Sequence, residues 1–579
     1  MQNTSGGELD GSWTEYSSSN WSLAPTSFGL RTMVNTLQLL ANGPAINVTT
    51  HQNTINATLR GLREMLRDDY WLNRGNDYSN QYSAVWGAAL DFVALFPQHA
   101  NEFHGYLNAR FPSAATKHQS PTGFLYEAGG PDFAYTQGTH QTNITNGWHR
   151  LRGSAYQSFV VDESQKLYDW VRYNFVRQPS GAGYLTNYGA TTRLAGRFFA
   201  VGNNANPISE FVPDARFLDR TSAEEAQVLV AQRSALTNSW DNWGPLANPS
   251  SNSYSPTPFN NVDLVGWRPT EQQRLDSPMS LPYLAPTSFN QQMVDSRRPA
   301  HFSFIRRPSY YATLNAGQQI TSFQRLGLGL MWNDQFGAAM QTQANTNSAT
   351  WGTRASGQSA PYEASTINTT YTINGAGSPV QNGSRRLADG NFGAAYPLGS
   401  AGSKAISFTD SGVTVNISHT GSFTEVLPLL RRSNETISLS PGRISLTRGN
   451  ATFAVVFDPS ISVTRNTPGI SPGDGQVIEN FTLAGTGSLS YTMRFELVVP
   501  SIVSGDRAGG VQDDVFRLVR KGSVAQLMLN SDLVPDVQWD IASPPSSLQI
   551  RGLGGNDTLI IDLSGGHPLP ASGLSFDGR

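Results

Sequence analysis

The sequence of 579 residues contains no cysteine. Disulfide bonds, catalytic thiolates and zinc–thiolate sites are therefore excluded. The absence does not assign a compartment, because a chain without cysteine is compatible with either side of a membrane. The sequence also lacks any run of about 18 or more apolar residues, so we expect no transmembrane helix and no membrane partner.

Charged residues are scarce, at 14% of the sequence, and the net charge is −3. This composition lacks the basic footprint of a nucleic-acid-binding protein, and a polyanionic substrate would have to be met by a local group of arginines. The first residues, MQNTSGGELDGSW, do not form the basic and apolar segments of a signal peptide. Gly, Pro, Asn, Ser and Thr supply the polarity, as is typical of secreted β-rich proteins. We therefore predict a secreted, extracellular or periplasmic protein, although no leader is visible.

The chain is too long for one hydrophobic core and should contain two or three domains. From residue 24 to residue 243 the apolar residues recur at helical spacing, and long loops are expected at 101–132 and 179–221. Ser222 and Glu225 have the spacing of a capping box at the start of one helix. Many helices separated by long loops predict an (α/α) toroid or incomplete barrel over residues 1–270, with a cleft built from loops.

The residues from 244 to 284 are rich in Pro, Asn and Ser, which is typical of a linker. From 298 to 500 the apolar period changes to two, in runs such as HFSFI and ATFAVVF separated by Asn-Gly and Asp-Gly turns. This pattern predicts an antiparallel β-sandwich domain over residues 285–503.

The remaining residues, 504–579, contain one GGNDTL unit at 554–559. The unit resembles a calcium-binding β-roll repeat. Such units require stacked neighbours, and only one copy is present. We predict a small β module, or the start of a repetitive tail, in which any calcium ion would be structural.

The segment 123–140, GFLYEAGGPDFAYTQGTH, combines aromatic residues, two carboxylates and a histidine around a Gly-Gly-Pro break. A helical pattern resumes at Thr139. Titratable residues on a loop that leads into a helix are where a scaffold displays chemistry. We interpret this segment as the acid/base segment of an active site.

Three stretches resemble parts of the heparinase II/III-like and alginate lyases. SNQYSAVWGAALDF, at 79–92, resembles the helix that carries their carboxylate-neutralising Asn or Gln, and GFLYEAGGPDFAYT resembles the loop that carries their catalytic tyrosine. YYATLNAGQQITSFQRLGLGLMWNDQFG, at 310–337, resembles their first sandwich strands. The chain differs from the family at Ser322-Phe323-Gln324-Arg325, where those lyases have a histidine-rich motif. Its nearest sandwich histidine is His301, so the resemblance implies a divergent polysaccharide lyase.

The resemblance also implies a mechanism, which is β-elimination from a uronate-containing polysaccharide. A base removes the proton α to the uronate carboxylate, an acid protonates the leaving oxygen, and amides or arginines stabilise the developing charge. No metal-ligand spacing such as HExxH occurs, and we expect no cofactor to be required for catalysis. The catalytic candidates are Tyr135 as base and acid, His140, Asn80 and His301. The substrate-binding candidates are Gln81, Arg325, Arg306, Glu127 and Trp86.

Each candidate also has a structural interpretation: Asn80 could be a helix N-cap, Tyr135 a packing aromatic, and His140 a loop hydrogen-bonding residue. Two other functions remain open. A glycoside hydrolase would pair Glu127 or Asp132 with Asp69 or Asp77. A non-catalytic secreted carbohydrate-binding protein would use exposed aromatic residues, for which the candidates are Trp71, Trp86, Trp332 and Trp351.

Overall fold

The chain forms two compact units in a computed structural model. One comprises Met1–Val171 with Ala200–Pro278, and the other comprises Arg172–Phe199 with Met279–Arg579. The structure describes residues 2–7, 9–41, 43, 46–193, 196–204, 206–240, 266–277, 281–285, 287–344, 349–449, 451–497, 502–505, 513–530, 535–541, 544–545, 548–570 and 573–578.

The first unit is helical. Its α-helices are α1 (Leu23–Ala41), α2 (Val48–Arg67), α3 (Tyr70–Arg74), α4 (Ser79–Leu95), α5 (Ala100–Lys117), α6 (Phe133–Tyr135), α7 (Thr142–Leu151), α8 (Gln157–Val171), α9 (Ser222–Trp240) and α10 (Glu271–Asp276). A π-helix occupies Thr136–Gln141, and 3₁₀ turns occupy Pro97–His99, Pro207–Glu210 and Pro213–Leu218. Short antiparallel pairs are formed by β1 (Trp13–Thr14) with β2 (Trp21–Ser22) and by β3 (Tyr126–Glu127) with β4 (Gly130–Pro131). No helix among the described residues is long and apolar enough to cross a membrane.

Helix α4 lies at the centre of this unit, since nearly every side chain from Ser79 to Phe92 is buried. It packs against α1 and α7. Gly87 on α4 meets Gly147 on α7 so closely that a Cβ atom on Gly87 would lie 2.7 Å from the Gly147 Cα. Two glycines therefore set the approach of α4 to the helix that follows the 123–140 segment.

Three local expectations for the helical region were wrong. The predicted loop at 101–132 contains α5, whose interior Pro112 and mixed polar sequence conceal the helical period. The predicted loop at 179–221 contains short strands and 3₁₀ turns. At α9 the reciprocal capping contacts are made by Thr221 and Glu224, one residue before the predicted pair. Residues 244–265 and 278–280 of the predicted linker lie outside the described residues.

The second unit begins with β5 (Phe175–Arg177), β6 (Gly183–Thr186) and β7 (Phe198–Ala200). Its main body contains β8 (Phe289–Asp295), β9 (Ala300–Arg307), β10 (Tyr310–Gly317), β11 (Gly327–Asn333), β12 (Gly337–Gln341), β13 (Gly352–Ala355), β14 (Thr370–Ile373), β15 (Ala376–Ser378), β16 (Gly383–Arg386), β17 (Phe392–Leu398), β18 (Gly402–Thr409), β19 (Gly412–Arg432), β20 (Ser438–Ser440), β21 (Arg443–Arg448), β22 (Ala451–Phe457), β23 (Val463–Asn466) and β24 (Gln476–Leu497). The 3₁₀ turns of this unit are Tyr188–Ala190, Pro282–Leu284 and Tyr362–Ala364.

The main body is an antiparallel β-sandwich. Its longest strands, β19 and β24, pair from Val413 opposite Met493 to Arg432 opposite Gln476, with a register shift between His419 and Ser422. Inward-facing aromatic and aliphatic side chains form one continuous core, as the period of two requires. Helices followed by an antiparallel sandwich confirm the predicted fold class, while the toroidal arrangement of the helices stays a prediction.

The last residues form a small β module with its own core around Phe516, Leu527, Trp539 and Ile550. Its strands are β25 (Ile502–Ser504), β26 (Val515–Lys521), β27 (Val524–Leu529), β28 (Val537–Asp540), β29 (Leu548–Arg551), β30 (Thr558–Asp562) and β31 (Leu574–Asp577). Strand β29 pairs in parallel with β25 and β31, and β26 pairs in parallel with β30. Strand β27 pairs antiparallel with β26 and β28, so the module combines parallel and antiparallel pairing.

Candidate functional site

The 123–140 segment begins with a tight hairpin that is tied to the start of α4. Glu127 of β3 pairs with Gly130 of β4, and the two turn residues, Ala128 and Gly129, have φ angles of 53° and 79°. Two successive positive φ angles are typical of a type I′ turn. The Gly129 amide donates to the carbonyl of Asp77 at 3.0 Å, just before α4 begins.

The hairpin leads directly into a helix that contains a π-helical insertion. The Asp132 carboxylate accepts a hydrogen bond from the Tyr135 amide at 3.1 Å and so caps α6. The chain continues through the π-helix Thr136–Gln141 into α7. Insertions of this kind widen a helix locally and occur frequently at functional sites. Tyr135 immediately precedes the π-helix and His140 lies within it.

A hydrogen-bond chain joins Asn80 to the turn that carries Tyr135. The Asn80 Nδ2 donates to Thr139 Oγ1 at 2.9 Å, and that hydroxyl donates to the carbonyl of Tyr135. Asn143 Nδ2 donates in turn to the Asn80 carbonyl at 2.8 Å. Asn80 is not the N-cap of α4, since that position is taken by Tyr78. The structure therefore brings together the predicted amide and the predicted tyrosine turn.

His140 is paired with a residue that the sequence analysis did not select. Its Nε2 lies 3.0 Å from Glu163 Oε2 on α8, and its side chain is 2% exposed. Among the described residues, the buried Nδ1 of His140 and the buried Oδ1 of Asn80 have no hydrogen-bond partner. A carboxylate three residues after Val160 and four before Leu167, both on the buried face of α8, is the signal that could have identified Glu163.

Gln119 links the start of the 123–140 segment to α8. Its Nε2 donates to the carbonyls of both Gly123 and Glu163, at 2.7 and 2.8 Å. The neighbouring His118 is almost fully buried, and this burial lowers its pKa to about 4. Its imidazole therefore stays neutral at pH 7, and its Nε2 lies 2.7 Å from the Leu72 carbonyl. This residue supports the segment and adds no charge to it.

Three of the four carboxylates considered for a hydrolase have structural partners or are enclosed, while Asp77 is exposed. Glu127 and Asp132 are each 1% exposed, and Asp132 serves as the N-cap of α6. Asp69 is bonded to Arg110 and lies 3.4 Å from the Lys117 amine. These contacts hold the carboxylates in the framework of the helical unit.

The predicted sugar-stacking tryptophans are core residues. Trp71, Trp86, Trp332 and Trp351 are all at most 4% exposed, so the prediction that they are exposed is wrong. Trp86 stacks on Phe111 with ring centroids 4.2 Å apart. The sequence alone does not distinguish a tryptophan that packs in a core from one that binds sugar at the surface. Gln81, next to Asn80, is half-buried.

The remaining candidates lie in the second unit, where they are enclosed by strands. Burial lowers the pKa of His301, whose Nδ1 lies 3.2 Å from the Tyr371 hydroxyl. Arg306 is 5% exposed and donates to the carbonyl of Tyr310 at 3.1 Å. Arg325 is fully buried, which lowers its pKa to about 10, and its Nε donates to the Trp351 carbonyl at 3.1 Å. Arg306 and Arg325 therefore bind backbone carbonyls of the sandwich.

Within the described part of the chain, no group of three or more His, Asp or Glu side chains is placed to hold a metal ion. In the GGNDTL unit, Asp557 Oδ1 accepts a hydrogen bond from the Asp514 amide at 2.8 Å, and the Asn556 amide donates to Asp513 at 2.7 Å. The Asp557 carboxylate thus binds the backbone of a neighbouring segment, and the Asp513 carboxylate of that segment binds the backbone of the unit. A structural calcium ion in the tail stays a prediction.

No protein-family model matches the sequence, and no curated protein matches it. Among solved structures, heparinase III (the BT4657 gene product) matches with a TM-score of 0.42 and 10% identity over 88% of this chain and 73% of that one. Its form with methylated lysines matches with a TM-score of 0.40, 10% identity and coverage of 88% and 72%. The structure of HI1317 matches with a TM-score of 0.25 and 9% identity over 37% of this chain and 98% of that one. Similarity at this level does not determine the activity of this chain.

Proposed function

We propose that the protein is a polysaccharide lyase that cleaves a uronate-containing, anionic polysaccharide by β-elimination. One observation carries the proposal: the hydrogen-bond chain from Asn80 through Thr139 to the carbonyl of Tyr135. This chain ties the Asn80 side chain to the backbone of Tyr135, although the two are far apart in sequence, and so supports a joint role for the amide and the phenol. A neutral amide beside a tyrosine is the combination that proton removal next to a carboxylate requires.

In this reaction Asn80 donates to the uronate carboxylate as negative charge develops on it. A neutral amide suits this role, because a carboxylate at the same place would repel the substrate. Tyr135 removes the α-proton and then returns a proton to the leaving sugar oxygen. The phenol can serve both steps, because it is an acceptor when ionised and a donor when neutral. His140, paired with Glu163, fixes the π-helix that follows Tyr135.

Two features support elimination over hydrolysis. An inverting hydrolase needs two carboxyl groups about 6.5–9.5 Å apart that flank the substrate. Asp132 instead caps a helix, and Asp69 is bonded to two cationic side chains. Tyr135, in contrast, is half-buried at the junction between α6 and the π-helix.

The test is a panel of uronate polysaccharides followed by the far-ultraviolet absorbance of the conjugated double bond that elimination creates. The parent protein should generate this absorbance on at least one polymer. Tyr135→Phe should lower the rate by about 100-fold or more while binding is retained, as expected for loss of acid–base catalysis. Tyr106→Phe is the matched control, since it removes another phenol of the helical unit whose hydroxyl bonds Glu102. His301→Ala in the same assay tests the sandwich histidine.

New reducing ends without the absorbance would overturn the lyase proposal in favour of a hydrolase. Binding without turnover on the whole panel would favour a carbohydrate-binding protein. Full activity of Tyr135→Phe would remove Tyr135 from the mechanism while leaving the reaction class intact.

A further inference from the structure

Inside the β-sandwich, one lysine is enclosed together with two glutamates. Lys404 lies on β18, Glu425 on β19 and Glu363 in the 3₁₀ turn Tyr362–Ala364. All three side chains are 0% exposed. The Lys404 Nζ is 2.7 Å from Glu425 Oε1 and 2.9 Å from Glu363 Oε1. Because the Lys404 Nζ is hydrogen-bonded to Glu425 Oε1, it also lies close to the carboxyl carbon of Glu425.

Polar and aromatic side chains complete the enclosure. The Tyr491 hydroxyl donates to Glu425 Oε1 at 2.7 Å, and the Thr353 hydroxyl donates to Glu425 Oε2 at 2.7 Å. The Tyr396 hydroxyl donates to Glu363 Oε1 at 2.9 Å. The Lys404 Nζ also lies 3.4 Å from the centre of the Trp351 ring. Side chains therefore surround the amine and both carboxyl groups.

The pKa values of the two carboxyl groups are shifted in opposite directions. Burial raises the pKa of Glu425, which favours its neutral acid form. Burial acts on Glu363 in the same direction, but the nearby Lys404 and Arg325 outweigh it and lower the pKa of Glu363. The pKa shifts therefore favour the acid form of Glu425 and the ionised form of Glu363, on either side of one amine. Burial of charged groups is unfavourable unless close partners offset it, so the three side chains depend on one another.

We propose that Lys404 and Glu425 form an intramolecular amide bond, with Glu363 as the base that assists the reaction. The Glu363 carboxylate takes a proton from the Lys404 ammonium. The amine then attacks the Glu425 carboxyl carbon, and a C–N bond forms. The Tyr491 hydroxyl donates to the oxygen on which negative charge develops. The C–O bond to the second oxygen, which carries the proton of the acid, breaks, and that oxygen takes the proton that the attacking nitrogen releases and leaves as water.

The reaction balances without a cofactor, because an ammonium, a carboxylic acid and a carboxylate become an amide, a water molecule and a carboxylic acid. No oxidation or reduction occurs. The enclosed site favours the amide product, because exclusion of bulk water opposes the reverse reaction, which is hydrolysis of the amide. A covalent link would hold β18 to β19 in a chain that has no cysteine for a disulfide.

The experiment is intact-mass measurement of the full chain, followed by tryptic mapping after unfolding. The parent should be lighter than its sequence mass by one water. Trypsin should fail to cleave after Lys404, so that residues 387–431 appear as one peptide lighter by one water. Glu363→Gln keeps the lysine and Glu425 but removes the base, and it should show the full mass. Lys404→Met should also show the full mass.

Lys166→Met is the matched control, since it removes an exposed lysine of α8 and should retain the loss of one water. The proposal is overturned if the parent has its full sequence mass and trypsin separates residues 387–404 from 405–431. The three side chains would then form a buried ion cluster only. A variant that does not fold leaves the measurement on the parent decisive.

Discussion

The amide of Asn80 donates to the hydroxyl of Thr139 across 59 residues of sequence, at 2.9 Å. This bond links the first turn of the central helix α4 to the π-helix that follows Tyr135. Both residues lie in the helical unit, so the link does not depend on any contact with the β-sandwich. The first prediction follows from this pair.

Asn80→Ala should lower the rate of unsaturated-product formation by about 100-fold to 1,000-fold, as expected when one donor to a developing negative charge is removed. Asn80→Asp keeps the shape of the side chain and should be at least as inactive, because its charge repels the uronate. Initial rates on the best polymer of the panel provide the measurement. Asn56→Ala, at an exposed site on α2, is the control and should keep parental activity. An active Asn80→Asp enzyme would contradict the neutralising role.

Gly123→Ala should destabilise the helical unit. Gly123 has a φ of 110°, and a Cβ atom there would lie 2.0 Å from the Lys166 carbonyl oxygen on α8. Both the strained backbone and the clash with a helix carbonyl oppose the substitution, and we expect a loss of about 2–4 kcal/mol in the free energy of unfolding. Urea denaturation provides the measurement.

Gly138→Ala is the internal comparison for this prediction, because no atom lies within 4 Å of a Cβ atom placed there. It should be neutral, or stabilising by up to about 1 kcal/mol through helix propensity. Equal stability of the two variants would show that the approach of α8 to Gly123 is not close in solution.

Asp91→Asn should lower the free energy of unfolding at neutral pH. Asp91 is fully buried between Arg31, His149 and Arg150. Burial by itself raises its pKa, but the His149 hydrogen bond and the Arg31 charge outweigh this and lower the pKa to about 2. Because the folded pKa is depressed, the ionised group stabilises the protein above about pH 4 and loses this effect as pH falls toward about 2.

Urea denaturation between pH 7 and pH 2 provides the measurement for Asp91. The parent should exceed Asp91→Asn by about 2–3 kcal/mol at pH 7, and the difference should shrink below pH 4. Asp162→Asn, at an exposed site on α8, should show little difference at any pH. A difference that does not change with pH would mean that packing, and not charge, explains the loss.

Asp219→Asn should raise the free energy of unfolding above neutral pH, in contrast to Asp91→Asn. Asp219 is fully buried, and this burial raises its pKa to about 7, although the nearby Ser209 and the charge of Arg268 act in the opposite direction. A raised folded pKa means that the stability contribution is complete below about pH 4 and is lost as pH rises through about 7. At pH 8 the asparagine variant should therefore be more stable than the parent by about 2–4 kcal/mol. At pH 4 the two should agree in denaturation experiments, and lower stability of the variant at pH 8 would contradict this account.

The sequence alone predicted the order of the fold. The change from helical spacing to a period of two separates the helical region from the β-sandwich, because each spacing allows only one kind of element to bury its apolar face. The Gly-Gly-Pro break predicted a loop that leads into a helix, whereas the structure has a short hairpin there and begins the helix at Phe133. Asn80 and Tyr135 were selected by resemblance, and the structure links them through Thr139.

The tertiary structure alone decided which polar groups meet. Periodicity identifies the face on which a residue lies, but not the residue of another element that it contacts. The pairing of His140 with Glu163 and the enclosure of Lys404 by Glu363 and Glu425 depend on how helices and strands pack. The tryptophans expected at a sugar-binding surface are in the core for the same reason: the exposure of a side chain is a property of the packed chain and not of the residue type.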